Sequence, residues 1–444
     1  MFYQIIFYRE VVIFMKTVAF HTLGCRVNQY ETEAVCELFL KEGYTYVDFH
    51  TTADVYVINT CTVTGESDRK SRQMIRRAKK TNPDSVVVVM GCLAQVNQQE
   101  LSVIEDVDIL IGTKHRDKAL ALVEDFLKTK EKKSIVGDNH LDPFEPLSIS
   151  TYTDKTRAYI KIQEGCEQFC TYCIIPYARG KLASRSEEDV LEEAERLADA
   201  GFREIILTGI HIASYGRDTK KDSLLSVLTK LNGIDGIDRI RLGSLEPNLM
   251  DFDFVEKIAG IEKLCPHFHI SLQSGCDATL LRMNRKYTAN QYRAYLEAIR
   301  KAMPDAAITT DVMVGFPDES DEEFNESYRF IEEMQFSHIH TFMYSRRKNT
   351  PAATFKNQIP SEIKKERSKK MIALSEKSRM EFLQKYKGQT VEVLFEQMTK
   401  DGFMEGYTRN YQKVSACGDI ALKGKIQKVQ IQSVDSDAMV GVLI

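Results

Sequence analysis

The chain has 444 residues, enough for two or three domains with full cores, and its 43% hydrophobic and 28% charged residues read as soluble and globular. A net charge of −4 supplies no global basic field, so any nucleic-acid contact has to come from local patches. Ten cysteines are too sparse for a disulfide scaffold, and Cys25, Cys61, Cys92, Cys166, Cys170 and Cys173 sit in Gly-Cys, Thr-Cys or Cys-x-x-Cys contexts, which favours metal ligation in a reducing cytoplasm.

Met1 to Phe14 is apolar but interrupted by Arg9 and Glu10, with neither the roughly 20 apolar residues of a membrane span nor a signal-peptide pattern. Met15-Lys16 stands directly before the first clear strand, so translation is expected to begin at Met15. Thr17 to Leu23 reads as a buried strand ending at Gly24-Cys25, followed by a helix whose apolar face holds Ala34, Val35, Leu38 and Phe39. Asp54 to Asn59 is a second strand, ending at Thr60-Cys61, and Ser85 to Met90 a third, ending at Gly91-Cys92. Strand and helix alternating at this spacing imply parallel strands with right-handed crossovers. Ligands of such sheets bind outside the carboxyl ends of the strands. Cys25, Cys61 and Cys92 all fall on that edge, a three-thiol site assembled from distant segments, although each alone reads as a small buried residue.

The helix after Cys61 carries Arg69, Lys70, Arg72, Arg76, Arg77, Lys79 and Lys80, either a solvated face or a phosphate-contacting one. Val107 to Thr113 is a further strand. Lys128 to Pro146, polar and holding Pro143 and Pro146, reads as a linker.

After an apolar strand from Ala158 to Ile162 comes Gly165-Cys166-Glu167-Gln168-Phe169-Cys170-Thr171-Tyr172-Cys173. Three thiols so spaced can hold three corners of a cubane iron–sulfur cluster and leave the fourth iron open. A structural zinc site or a loop of reduced thiols are the other readings. Zinc asks for four ligands, and no fourth Cys or His stands within ten residues.

Behind this loop, strands are expected at Glu204 to Leu207, Arg239 to Leu245, His267 to Leu272, Ala307 to Val314 and His338 to Tyr344, alternating with helices. About six βα units suffice for a partial parallel barrel, whose chemistry gathers at the C-terminal strand ends. Thr208-Gly209-Ile210-His211, Ser244-Leu245-Glu246, Gln273-Ser274-Gly275 and Val314-Gly315-Phe316-Pro317 stand there. Glycines such as Gly209 and Gly315 let backbone approach a ligand, and Glu246 and Gln273 can hydrogen-bond ribose hydroxyls or a methionyl amine. His211, His267 and His269 read as structural or pocket-lining. Arg282 to Tyr287 and Arg346-Arg347-Lys348 are either RNA-tracking or plain surface. Ser361 to Tyr386 is a charged helix. Short strands follow at Thr390 to Phe395, Met404 to Ser415, Gly424 to Ile431 and Ala438 to Ile444, a small β-barrel.

The cluster loop resembles the signature of radical S-adenosylmethionine (SAM) enzymes. With both cysteine sets the chain, from about Lys16 onward, resembles the methylthiotransferases of that superfamily. Thr22-Leu23-Gly24-Cys25-Arg26-Val27-Asn28, Ile58-Asn59-Thr60-Cys61-Thr62-Val63-Thr64, Lys70-Ser71-Arg72-Gln73 and Leu207 to His211 most resemble the branch acting on N6-threonylcarbamoyladenosine in tRNA. The resemblance implies an α/β protein of three parts. These are an N-terminal parallel α/β domain (16–140), a central partial (βα)6 radical SAM barrel (150–380) and a C-terminal barrel similar to TRAM (384–444).

It further implies two 4Fe-4S clusters and SAM. Cys166, Cys170 and Cys173 would hold the SAM-cleaving cluster, and Cys25, Cys61 and Cys92 an auxiliary cluster tied to sulfur delivery. Tyr172, Gly209, Ser244, Glu246, Gln273 and Gly315 would surround SAM. The implied activity adds a methylthio group at C2 of the adenine beside the anticodon, drawing on the tRNA anticodon loop, a sulfur source and an electron donor such as flavodoxin or ferredoxin, in the cytoplasm without a membrane partner. The same chemistry on isopentenyladenosine, or on an aspartate of a ribosomal protein, is the alternative. Gly315-Phe316-Pro317-Asp318-Glu319-Ser320 departs from the family's usual Gly-Phe-Pro-Gly-Glu-Thr, as does Leu93 from the branch's usual tyrosine. Neither change touches a cysteine.

Overall fold

The computed structural model describes residues 16–139, 143–152, 155–247, 251–435 and 438–444; the expectation for Met1 to Phe14 lies outside them. The first domain opens with β1 (Thr17–Thr22), α1 (Arg26–Lys41), β2 (Thr45–Tyr46), β3 (Val55–Thr60) and α2 (Gly65–Thr81). It continues with β4 (Val86–Gly91), α3 (Cys92–Val96), α4 (Gln98–Ser102), β5 (Ile109–Ile111), α5 (Ala119–Thr129) and β6 (Lys133–Ile135). Its strands form one parallel sheet in the order β2-β1-β3-β4-β5-β6. The fully buried runs Val55–Thr60 and Val86–Gly91 are its centre, with apolar residues on both faces as a helix-covered parallel sheet requires.

The expected linker is corrected here: Lys133–Ile135 pairs with Ile109–Ile111 as a sixth strand. It is an edge strand with Ser134 exposed, so its composition looks like loop.

The central domain contains β7 (Arg157–Glu164), α6 (Ile175–Arg179), β8 (Ala183–Ser184), α7 (Glu187–Asp199), β9 (Glu204–Gly209), α8 (Leu224–Leu231), β10 (Arg239–Leu242) and β11 (Ser244–Leu245). Next come α9 (Phe252–Ala259), β12 (His267–Ile270), α10 (Asp277–Arg282), α11 (Ala289–Ala302), β13 (Ala307–Val314), α12 (Asp321–Glu333), β14 (His338–Met343) and the long α13 (Ser361–Gln384). Two four-stranded sheets, β10-β9-β7-β8 and β11-β12-β13-β14, make six parallel staves, because β10 and β11 are one stave interrupted at Gly243. The short β8 lies antiparallel on β7. One apolar core runs through the staves and their helices.

The tail closes into a five-stranded barrel of β15 (Thr390–Met398), β16 (Phe403–Thr408), β17 (Lys413–Cys417), β18 (Ile426–Val434) and β19 (Met439–Leu443). The expected single strand from Met404 to Ser415 is a hairpin, with β16 antiparallel to β17. Its turn enters the central domain. Arg241 donates to the Arg409 carbonyl at 2.9 Å, Arg239 to the Tyr407 carbonyl at 3.0 Å, and Asn410 to the Asp305 carbonyl at 3.0 Å. Among the described residues no helix is long and apolar enough to cross a membrane.

Candidate active site

Cys25 is the N-cap of α1, Cys61 follows the last residue of β3, and Cys92 opens α3 directly after β4. Parallel register brings these three ends together: an added Cβ on Gly24 would stand 2.9 Å from the Cys61 sulfur, at a φ of +104° that suits glycine. Burial pushes the Cys61 thiol up and the Cys92 thiol up to about 11, and the neighbouring thiols add to both. The other three cysteines lie on the loop after β7. There, burial and the Cys170 sulfur push Cys166 up to about 11 and Cys173 up to about 12. The loop is pinned by Cys166 N–H to the Gly180 carbonyl at 3.1 Å, Cys173 N–H to the Cys170 carbonyl at 2.9 Å, and Thr171 N–H to the Met283 carbonyl at 3.0 Å. Gly165 admits the turn: its φ is +76°, and a Cβ there would lie 1.8 Å from the Lys181 carbonyl oxygen.

A thiolate, not a thiol, is the metal ligand, so binding a cluster would release the protons that burial retains. Among the described residues no three Cys, His, Asp or Glu side chains converge on a single metal ion. In an iron–sulfur cluster each thiolate takes a different iron and the ligands stand apart. All-thiol donor sets at both places fit such a group.

The surroundings fit as well. Between the two thiol sets lies a buried charge network that sequence spacing does not reveal. Glu31 of α1 meets Arg179 at 2.7 Å, Lys161 at 2.8 Å and Arg116 at 2.5 Å, and Glu164 meets Arg179 at 2.8 Å and Lys161 at 2.9 Å. Arg116 also pairs with Glu145 at 2.6 Å, and Lys114 stands 3.5 Å from Glu164. Burial alone would raise the Glu31 carboxyl, but Arg116, Arg179 and Lys161 bring it down to about 2. Arg179 reaches Asn28 Oδ1 at 2.7 Å, and Asn28 in turn holds the Leu23 and Thr60 carbonyls, the backbone just before Cys25 and Cys61. Among the described residues the buried Nε of Arg179 has no hydrogen-bond partner, and its guanidinium lies in the field of Cys92. Four cationic side chains against three carboxylates suit an anionic thiolate set alongside.

Glu246 is held by Arg285, whose Nη1 also stands 3.3 Å from the Cys170 sulfur and whose Nε donates to Tyr287 at 2.9 Å. Burial raises the Glu246 carboxyl and Arg285 opposes that. Arg285 was legible only as part of a basic surface stretch, and that reading is corrected. Arg285 is 4% exposed, Arg282 pairs with Glu323, and Arg347 pairs with Asp68 at 2.5 Å. Arg285→Met would leave Glu246 buried beside an anionic loop without its partner. The expected result is a loss of about 3 kcal/mol in chemical denaturation and less iron retained after reconstitution; unchanged values of both would contradict this placement.

On α2, Arg69, Arg72 and Lys79 are engaged by Glu66, Glu100 and Asp108, while Arg76, Arg77 and Lys80 are exposed.

Tyr172 packs edge-on against Phe316, with centroids 6.5 Å apart. Gln273 has φ +71° and exchanges backbone hydrogen bonds with Asp311 and Met313. The Gly315 N–H donates to Glu319 at 2.9 Å. His211 is buried against Ser214, and its Nε2 lies 3.9 Å from Glu246. Gly209 and Ser244 line a cavity of about 1020 Å³, bounded by Cys25 and Arg26 of the first domain, His267, His269 and Asp311 of the staves, and Tyr407 and Tyr411 of the tail.

Comparison with known proteins places three families on the chain: Uncharacterized protein family UPF0004 on residues 17–112, the Radical SAM superfamily on 160–331, and the TRAM domain on 384–438. It is 45% identical over 425 residues to the threonylcarbamoyladenosine tRNA methylthiotransferase MtaB of Bacillus subtilis (strain 168), covering 94% of each chain. A tRNA-2-methylthio-N(6)-dimethylallyladenosine synthase of Pelotomaculum thermopropionicum is 35% identical, covering 97% of this chain and 98% of the relative. Among solved structures, the radical S-adenosylmethionine methyltransferase TsrM from Kitasatospora setae, with tryptophan substrate and a SAM analog bound, superposes with a TM-score of 0.57. It is 13% identical, over 76% of this chain and 75% of that one, a likeness of fold.

Proposed function

Because the chain belongs to the radical SAM tRNA methylthiotransferase family, in the branch of the MtaB enzymes, we propose that it transfers a methylthio group to C2 of N6-threonylcarbamoyladenosine beside the anticodon of tRNA. Support comes from two all-cysteine sets tied into a single buried charge network, in which Arg179 holds Glu164, two residues before Cys166, and Asn28, which holds the backbone before Cys25 and Cys61, and from a cavity that opens beside Cys25. Cys166, Cys170 and Cys173 would hold the SAM-cleaving 4Fe-4S cluster, and Cys25, Cys61 and Cys92 a second, auxiliary cluster. When bound, these groups and SAM supply the radical and the methylated sulfur that side chains lack.

The chain's own residues position and insulate. Glu246, fixed by Arg285, and Gln273 offer hydrogen bonds to the polar groups of SAM, while Tyr172, Gly209, Ser244 and Gly315 shape its pocket. Arg179 and Asn28 hold the two cysteine loops in one frame. The anticodon loop is single-stranded, so presenting the base asks for unstacking rather than opening a duplex. The work divides among an auxiliary-cluster domain (16–140), the SAM barrel (150–380) and an RNA-gripping barrel (384–444). Electrons would come from a flavodoxin or ferredoxin and sulfur from a separate donor, in the cytoplasm.

The test is nucleoside analysis of tRNA from cells lacking the gene. Loss of the 2-methylthio form of N6-threonylcarbamoyladenosine, restored by the gene, supports the proposal; loss of the methylthiolated isopentenyl nucleoside instead would replace it.

A further inference from the structure

The cavity beside Cys25 is chemically one-sided. Among the described residues its lining holds Arg26, Arg241, Arg379 and Lys413, with imidazoles at 267, 269, 338 and 340, against a single carboxylate, Asp311. Alternation along β12 and β14 carries those four histidines into one interior. Most of the charge is already matched. His269 Nε2 lies 3.2 Å from Asp311, Arg241 pairs with Glu204 at 2.7 Å, and Lys413 with Glu405 at 2.6 Å.

Arg26 differs. Among the described residues its guanidinium meets no carboxylate; it donates to the Tyr159 hydroxyl at 2.5 Å and the Tyr411 hydroxyl at 3.4 Å, and lies 5.3 Å from the centre of the Tyr159 ring. His267 packs on the same Tyr411, with ring centroids 5.0 Å apart. It is 8% exposed, and among the described residues its Nδ1 has no hydrogen-bond partner. Burial, Arg241, His269 and Arg26 all keep this imidazole neutral, able to donate one N–H. An unmatched, exposed guanidinium beside an imidazole with an unpaired buried nitrogen is a poor lining for a hydrocarbon group, which would strip the guanidinium of water and leave the imidazole nitrogen unpaired. A carboxylate answers both, by a charge-assisted pair with the fork of Arg26 and a hydrogen bond from His267.

Resting on the transfer proposed above, we infer that Arg26 and His267 bind the carboxylate of the N6-threonylcarbamoyl substituent, making this end of the cavity the place where an anionic substituent is chosen over an apolar one. It would set which modified adenosine enters, independently of the grip on the RNA backbone.

The experiment measures equilibrium binding of two anticodon stem-loop RNAs to the reconstituted holoenzyme without reductant, one bearing the threonylcarbamoyl group and the other its uncharged carboxamide. The wild type is expected to bind the carboxamide RNA about tenfold to a hundredfold more weakly. Arg26→Met and His267→Phe should each narrow that gap, to within about threefold for Arg26→Met. Equal affinity of the wild type for the two RNAs overturns the inference, and because this comparison needs no variant it holds even where Arg26→Met loses iron. Methylthio product formed from the threonylcarbamoyl RNA alongside equal affinities would sink the inference and leave the transfer standing; no product from that RNA would sink the transfer itself.

Discussion

Arg179→Met is expected to destabilise the protein by about 3–5 kcal/mol and to strip iron from both cysteine loops, far beyond the effect of an ordinary surface arginine. The side chain is fully buried and serves Glu31, Glu164 and Asn28 at once. Removing one partner from such a cluster leaves carboxylates in a low-dielectric interior, the costly half of any buried ion pair. Two loops depend on it. Glu164 lies two residues before Cys166, and Asn28 clasps the backbone leading into Cys25 and Cys61. Arg179→Lys keeps the charge but loses the fork that spans two acids and an amide, so it should recover only part of the loss.

The same network gives the fold an acid-sensitive seam. Glu31 ionises at about 2 in the fold against 4.5 ordinarily, so its contribution is complete above about pH 4.5 and is lost as pH falls towards about 2. Glu31→Gln should destabilise at neutral pH and flatten the acid limb of the stability profile over that window. Denaturant midpoints and iron content equal to wild type in both variants would show the network to be dispensable.

Cys173→Ala is expected to abolish both SAM cleavage and methylthiolation, whereas Cys61→Ala should keep SAM cleavage and lose the methylthio product entirely. The asymmetry follows from where the thiols sit. Cys173 belongs to the loop fixed by Arg285, Met283 and Gly180, and Cys61 to the strand ends of a different sheet, across Arg179. An aromatic C–H at C2 offers neither an acidic proton nor a leaving group, so no side chain substitutes for a missing cofactor and the loss should reach the detection limit. Reverse-phase separation of 5′-deoxyadenosine and of tRNA nucleosides reads both quantities in one reaction. Equal methylthio product from Cys61→Ala and the wild type would refute the division of labour.

Much of this arrangement was legible in the sequence, because strand periodicity and strand ends are local properties. Val55–Thr60 and Val86–Gly91 announce themselves as buried parallel strands, and a cysteine one residue past each can only lie on the ligand edge. What the sequence hid was of two kinds. Short elements lacked their usual signals. Lys133–Ile135 is a three-residue polar edge strand, and the turn between β16 and β17 uses Arg409, Asn410 and Tyr411 where a glycine would be expected. Tyr411 tolerates φ +68° there because Arg157 lies over its ring at 5.0 Å and Arg241 at 4.7 Å, both from the central domain. Charges, in turn, do not declare their partners. Arg285 and Arg347 look like surface in a basic run, yet each finds an acid from a distant segment. Glu31 and Arg179, 148 positions apart, meet only after two domains dock.

The central claim is that one chain holds two independent cluster sites, tied together by one buried charge network. It is tested most directly by iron and sulfide analysis with Mössbauer spectra on anaerobically reconstituted wild type and on the Cys166/Cys170/Cys173 triple alanine variant. About eight irons per chain falling to about four, as two cubane clusters require, is the expected result. About four falling to none would mean that Cys25, Cys61 and Cys92 hold no cluster, and would contradict the account.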